Sequence, residues 1–424
     1  MRPYLVLLHR WFGLFIAVFL LIAGLTGAVI SWDHELDAWL NPQLFNAETQ
    51  GQYQSSLSLA NQLEARHPEL RISYLPLDID EGKTLMLSVS PSMDAATQTA
   101  HKLTYNQVAL DAVTGERQAQ RQWGDVSLAR ENLLPFLYKL HYTLHIPDAW
   151  DLELGMLFMG AVGIIWLLDC FIALWISFPQ AKSWRKSFAF RWGRGPYKLN
   201  FDLHRSGGVW VWLLLLMLAV TSISMNLRSQ VMGPIVAFLS ELSPNPFTSR
   251  VPNPEDKPIA PAITREKLLS LANIEASKRE ILWPAGAIFY SSTFGLYGVG
   301  YFPKGNDHGD GGLGNPWLYF DAKDGSHVGA TIPGTGTAGD IFMQAQFPLH
   351  SGRILGLPGR ILMSFMGLVV ATLSLTGIII WLRKQRSRSS MKIIQENNIA
   401  IKNNRDRNKK SNQDDSPNLE AFLD

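Results

Sequence analysis

The sequence predicts a membrane protein: a four-helix transmembrane bundle, built by a parallel duplication, with two small α+β domains on one side of the bilayer. Three observations predict it. Four long runs are free or nearly free of charge, basic residues gather on one side of those runs, and paired histidines recur at matching places in two halves of the chain. The 424 residues are 47% hydrophobic, yet the mean hydropathy is only +0.03. That average conceals apolar runs alternating with two polar stretches, so a single water-soluble globule is excluded.

A helix needs about 20 apolar residues to cross a bilayer. Trp11 to Ile30, Ser206 to Leu227 and Ile361 to Leu382 carry no charge, and Leu154 to Phe178 carries only Asp169. The first run follows Arg2 and Arg10, as a signal peptide would. It is too long for one and lacks a small-residue cleavage site, so it reads as a retained anchor. Between the second and third runs, Lys182, Arg185, Lys186, Arg191, Arg194, Lys198 and Arg205 face a single acid, Asp202, and Arg383-Lys384-Gln385-Arg386-Ser387-Arg388 follows the fourth run. Cytoplasmic loops carry this excess of basic residues. The expected order is therefore a first helix (1–33), an outer domain (34–140), an outer-face segment with the second helix (141–178), and a cytoplasmic basic loop (179–204). The third helix (205–228), a second outer domain (229–349), an outer-face segment with the fourth helix (350–383) and a cytoplasmic tail (384–424) follow. The tail is rich in Asn, Lys, Asp and Ser, which predicts disorder. Trp32, Trp39, Trp150, Trp175 and Trp184 fall where an interfacial aromatic belt would place them.

In the first outer domain, Leu57 to Ala65 has helical spacing, and Ile72 to Leu77 and Thr84 to Val89 read as strands. Lys102 to Leu110 then leads into the turn Asp111-Ala-Val-Thr-Gly115. The second domain repeats the order. Thr264 to Ala276 is helical, Ile288 to Tyr301 strand-like, and Trp317 to Phe320 leads into Asp321-Ala-Lys-Asp-Gly325. Pro244 to Pro261 reads as a linker, and Lys304 to Pro316 as a Gly-rich loop.

Repeated order decides architecture. His9-Arg10-x-x-Gly13 opens the first run and His204-Arg205-x-x-Gly208 the third. Leu140-His141 precedes the second and Leu349-His350 the fourth, each followed by a Pro-containing break. Two spans per half make a parallel repeat about an axis along the membrane normal. His9 then shares a depth with His204, and His141 with His350. Two histidines per layer is what a bis-imidazole haem requires.

The remaining candidates follow from the same geometry. His145, four residues after His141 and on the same helical face, is an alternative outer ligand or a contact for a propionate or the electron acceptor. His34 lies about 37 Å along a helix from His9 and is out of its reach, though not out of reach of the outer pair; an ordinary interfacial role is favoured. Arg10, Arg205 and Arg353 are placed to meet propionates, although flanking charge explains Arg10 and Arg205 equally well. Asp169 is a buried acid suited to a proton relay or to a polar contact between helices. Asp307, His308 and Asp310 lie in the Gly-rich loop, where flexibility explains them more simply than ligand contact. His141-x-x-x-His145 lacks the glutamate of a zinc-protease helix. The lone Cys170 excludes a disulfide framework, thiolate zinc, iron–sulfur clusters and covalent c-type haem. A net charge of +2 gives no reason to expect a nucleic-acid partner.

The H-R-x-x-G openings, the L-H pairs, the T-G endings (Leu25-Thr26-Gly27; Leu375-Thr376-Gly377) and the D-A-x-x-G turns resemble the PepSY-associated transmembrane family over residues 1 to about 386. Within it they resemble bacterial inner-membrane ferric-siderophore reductases of the FoxB type. The resemblance implies two PepSY-like periplasmic domains, two haems b held by His9/His204 and His141/His350, and electrons carried outward from a cytoplasmic or quinol donor to a periplasmic ferric siderophore. Both termini would be cytoplasmic. Two other readings stay open: a membrane-anchored PepSY-type binding or regulatory protein without haem, and an electron conduit to a protein partner.

Overall fold

The computed structural model describes residues 1–414. Its first helix, α1 (Arg2–Ile30), is followed by α2 (Asp33–Leu40), a one-turn α3 (Pro42–Phe45) and α4 (Ser56–Arg66), then by four strands. These are β1 (Leu70–Pro76), β2 (Leu85–Pro91), β3 (Gln107–Leu110) and β4 (Arg117–Arg121). A short helix α5 (Leu133–Thr143) leads into α6 (Leu154–Ser177). The second half runs α7 (Pro196–Trp210), α8 (Trp212–Asn226), α9 (Gly233–Leu239) and α10 (Arg265–Lys278). Strands β5 (Ala285–Ser291), β6 (Leu296–Tyr301), β7 (Trp317–Asp321) and β8 (His327–Thr331) come next, then α11 (Ala338–Ser351) and α12 (Leu357–Asp414).

Among the described residues three helices, α1, α6 and α12, are long and apolar enough to cross a bilayer, and α7 with α8 passes the same test only as a pair. That pair is bent by 71°, where the sequence predicts one straight span from Ser206 to Leu227. The break follows Ser206-Gly207-Gly208, and Val211 leaves helical geometry (φ −106°, ψ 13°). Gly and Ser pairs are a usual cause of such kinks. The Trp212 indole N–H donates to Cys170 O (2.9 Å), fixing the bend against α6. His204 consequently stands on α7, before the bend.

Small residues let the helices meet closely, as expected where lipid supplies no hydrophobic drive. A Cβ on Gly24 of α1 would lie 2.6 Å from Gly367 O of α12, and one on Gly367 would lie 2.5 Å from Gly24 O. On the other side, Gly160 and Gly163 of α6 admit Leu227 and Ile223. The helix α12 also overturns one expectation. Where a disordered tail is predicted from 384, it continues to Asp414. A helix already nucleated by an apolar span extends without a new nucleation cost. Residues 415–424 of that predicted tail lie outside the described residues.

The strands correct a second expectation. Two separate outer domains are predicted, but all eight strands form one antiparallel sheet in the order β4-β3-β2-β1-β5-β6-β7-β8. The two sets of four meet where Tyr74, Leu75 and Pro76 pair with Phe289, Ile288 and Ala287. One hydrophobic core serves both, with Leu59, Leu75 and Leu87 packed in the same cluster as Leu268, Ile288 and Phe320. Joining β1 to β5 removes two exposed edges, the usual liability of small sheets. Glu64 of α4 fixes the junction by accepting from Arg265 of α10 (2.5 Å) and Arg71 of β1 (3.0 Å). The run Ile288 to Tyr301, predicted as strand-like throughout, is a hairpin closed by a turn at Gly295 (φ 62°). The two D-A-x-x-G turns do match. In each the Asp carbonyl accepts from the Gly amide at 2.9 Å and that Gly has positive φ, 73° at Gly115 and 80° at Gly325.

Candidate functional site

The helices bring the four expected histidines into two pairs. The rings of His9 and His204 have centroids 6.1 Å apart at 48°, and those of His141 and His350 are also 6.1 Å apart, at 65°. His9 and the carbonyl that holds His141, at Ala23, are fourteen residues apart on α1. At 1.5 Å per residue the two layers are therefore separated by about 21 Å along the helix.

Each pair is set by the helix its ring leans on. His141 presents Nδ1 to Ala23 O (2.9 Å) and Thr26 Oγ1 (3.1 Å) of α1. His204 does the same to Leu373 O (2.9 Å) and Thr376 Oγ1 (3.2 Å) of α12. His350 meets Thr221 Oγ1 of α8 (2.9 Å). The three threonine hydroxyls each donate to the carbonyl four residues back, Ile22, Met217 or Thr372. That common habit of Thr in a helix turns the oxygen lone pairs toward the imidazole N–H. His9 differs, because its Nδ1 faces both oxygens of Asp169 on α6, at 2.9 and 3.0 Å. In all four the hydrogen bonds fall on Nδ1; the carbonyl and carboxylate acceptors at His141, His204 and His9 call for a proton there, which in a neutral ring leaves the lone pair on Nε2.

Glycine clears the space beside two of the rings. A Cβ on Gly27 would lie 2.9 Å from His141 Cε1, and one on Gly377 would lie 3.0 Å from His204 Cε1. Sequence reasoning noticed these T-G pairs without assigning them a task. The repeated Thr-Gly at span ends was the signal that could have done so.

A cavity of about 460 Å³ opens between the helices around His141 and His350, within the range of cofactor pockets. Its inner wall is apolar, with Trp166, Met159, Leu218, Met363 and Val370, and its mouth is polar, with Tyr142, Asp33, His308, Arg353 and Arg360. Arg353 pairs with Asp310 (2.8 Å) and approaches Asp33 (4.0 Å). Arg360, absent from the sequence candidates, bonds Ser31 O (2.8 Å) and Glu35 (2.7 Å) and lies over the Trp32 ring. The Arg360 guanidinium holds the Glu35 carboxyl below the usual glutamate range.

The other candidates are placed as follows. His145 does not share a face with His141. The helix α5 ends at Thr143, Leu144 and His145 take positive φ (55° and 53°), and the His145 ring turns back to stack on Phe136 and bond its carbonyl (2.9 Å). His34 meets His308 of the Gly-rich loop, Nε2 to Nε2 at 2.9 Å, and His308 Nδ1 donates to Asp307 (2.7 Å). Arg10 and Arg205 each keep a buried Nε without a partner, a matched feature in the two halves.

These residues fit a haem at each pair. Two imidazoles sharing one iron put their centroids roughly 6 Å apart, from two bonds of about 2 Å and ring radii of about 1.1 Å. The hydrogen-bonded Nδ1 is the usual arrangement for a metal-binding histidine. The orphaned Arg10 and Arg205 nitrogens suit anionic propionates. Among the described residues no cluster of three or more His, Cys, Asp or Glu surrounds a point where a bare metal ion would sit.

Fold and site together define a membrane protein: apolar helices holding half-buried histidine pairs, joined to a sheet domain. The chain belongs to the PepSY-associated TM region family, which matches residues 6–384. No curated protein matches the sequence.

Proposed function

We propose that the protein is a di-haem b transmembrane oxidoreductase that passes electrons across a bacterial inner membrane to ferric iron, bound in a siderophore, in the periplasm. On this reading the chain is a parallel duplication. The bent pair α7–α8 is the third of four spans, both termini and the basic loop are cytoplasmic, and the sheet domain is periplasmic. The donor is a cytoplasmic reductant or a quinol, which delivers electrons at the His9/His204 layer.

The observation that carries the proposal is the matched spacing of the two pairs, 6.1 Å in each, with every Nδ1 engaged. When bound, haem supplies one-electron chemistry, and the protein supplies orientation and potential. Thr26, Thr221, Thr376 and Asp169 hold the imidazoles oriented for ligation. Gly27 and Gly377 let the Cε1 edges of two of the rings approach the neighbouring helices. The apolar wall of Trp166, Met159 and Met363 excludes water from the outer pair. The polar mouth at Arg353, Arg360 and His308 is where an acceptor approaches. Reduction weakens the hold of hard oxygen ligands on iron, which suits release from a chelate.

The test is the absorption spectrum of the detergent-purified protein from haem-supplemented cells. A Soret band with resolved visible bands after dithionite is expected. A colourless, folded preparation would reject the proposal and favour the haem-free binding role.

A further inference from the structure

Asp169 stands in an apolar span with its side chain about one-tenth exposed (10%), and among the described residues its ion-pair partner is His9. An ionisable group in such a place is costly and marks a task. The other three imidazoles show how the same fold orients a histidine with neutral groups. His350 is held by the Thr221 hydroxyl alone, and His141 and His204 by a carbonyl and a threonine each. Orientation therefore does not require a carboxylate. What a carboxylate adds is negative charge at the Nδ1 proton, which makes the opposite nitrogen a stronger donor to a metal. Stronger donation favours the oxidised metal and lowers its reduction potential.

We propose that Asp169 is a positioning residue that makes His9/His204 the lower-potential of the two sites, so that an electron shared between the layers rests at His141/His350. The inference rests on the haem reading of both pairs. One electron leaves the first site and one arrives at the second, with no bond made or broken. The repeated geometry thereby acquires a direction that spacing alone does not give.

The experiment is a mediated redox titration, with dithionite as reductant, of the haem-loaded full-length protein in detergent. Wild type, His350→Ala, Asp169→Asn and Asp169→Thr are compared, the last two also in the His350→Ala background. The wave surviving in His350→Ala should be the lower of the two wild-type waves. Asp169→Asn keeps an acceptor for Nδ1 and removes the charge, and Asp169→Thr installs the partner the other histidines use. Each should shift the equilibrium of that wave at least tenfold toward reduction, about 59 mV for a one-electron couple, and leave the other wave in place. Three results would overturn the proposal: a surviving wave that is the higher one, no shift in either variant, or loss of haem from this site in both. A wild-type protein without haem would instead reject the proposed function and this inference with it.

Discussion

His9 and His204 stand on the helices α1 and α7, whereas His141 and His350 stand on the short helices α5 and α11, which pack against α1 and α8. Both pairs nevertheless reach the same centroid distance. The His141/His350 pair borders a cavity that is apolar within and polar at its mouth, and its imidazoles are held by neutral oxygens. In the other pair one imidazole is held by a carboxylate. The comparison teaches that spacing and electrostatics are set by different residues. Helix crossings at small side chains fix the distance, while one substitution at an Nδ1 partner changes the charge without disturbing it.

The sharpest way to break the comparison is to remove one histidine at a time. His9→Ala or His204→Ala should cost the whole haem of that layer and spare the other, and His141→Ala or His350→Ala should do the reverse, as counted by haem released per chain. Equal loss of both from either change would mean the layers are not independent. A smaller effect is expected from crowding the rings. Gly27→Leu should displace His141 and Gly377→Leu should displace His204, costing about 1–3 kcal/mol and lowering haem retention in that layer alone during apo-myoglobin competition.

Smaller still, the threonines should differ among themselves. Thr221→Val leaves His350 Nδ1 with no partner and should cost about 1 kcal/mol or more. Thr26→Val and Thr376→Val leave Ala23 O and Leu373 O in place and should cost less. Equal haem-dissociation rates in the three variants would contradict this ordering. The least effect belongs to Glu35. Its folded-state carboxyl lies below the ordinary value of 4.5, so its bond to Arg360 stabilises the protein fully above that value and is lost as pH falls from there through the lower folded-state value. The stability difference between wild type and Glu35→Gln, measured by denaturant unfolding, should fade as pH falls below 4.5 and stay below about 1 kcal/mol, because the carboxylate is exposed and screened.

Much of this was legible in the sequence because bilayer helices are written in composition, and ligand candidates in repeated motifs. His9, His204, His141 and His350 were all named by their positions relative to apolar runs. The Nδ1 partners were not, since Thr26, Thr221, Thr376 and Asp169 lie on helices far along the chain from the rings they hold. His145 leaves the face of His141 because a four-residue spacing implies a shared face only while the helix continues, and α5 ends two residues earlier.

By itself, then, the sequence determined that the chain enters a membrane, which histidines pair with which, and which turns close the hairpins. These follow from local composition, hydrophobic period and repeated order. Only the tertiary structure decided that two sets of four strands become one sheet, that the third apolar run bends by 71°, and that Asp169 meets His9. Each depends on groups distant in the chain satisfying one another. Open strand edges, unpaired imidazole N–H groups and a carboxylate in an apolar span carry a cost that neighbours in sequence cannot remove.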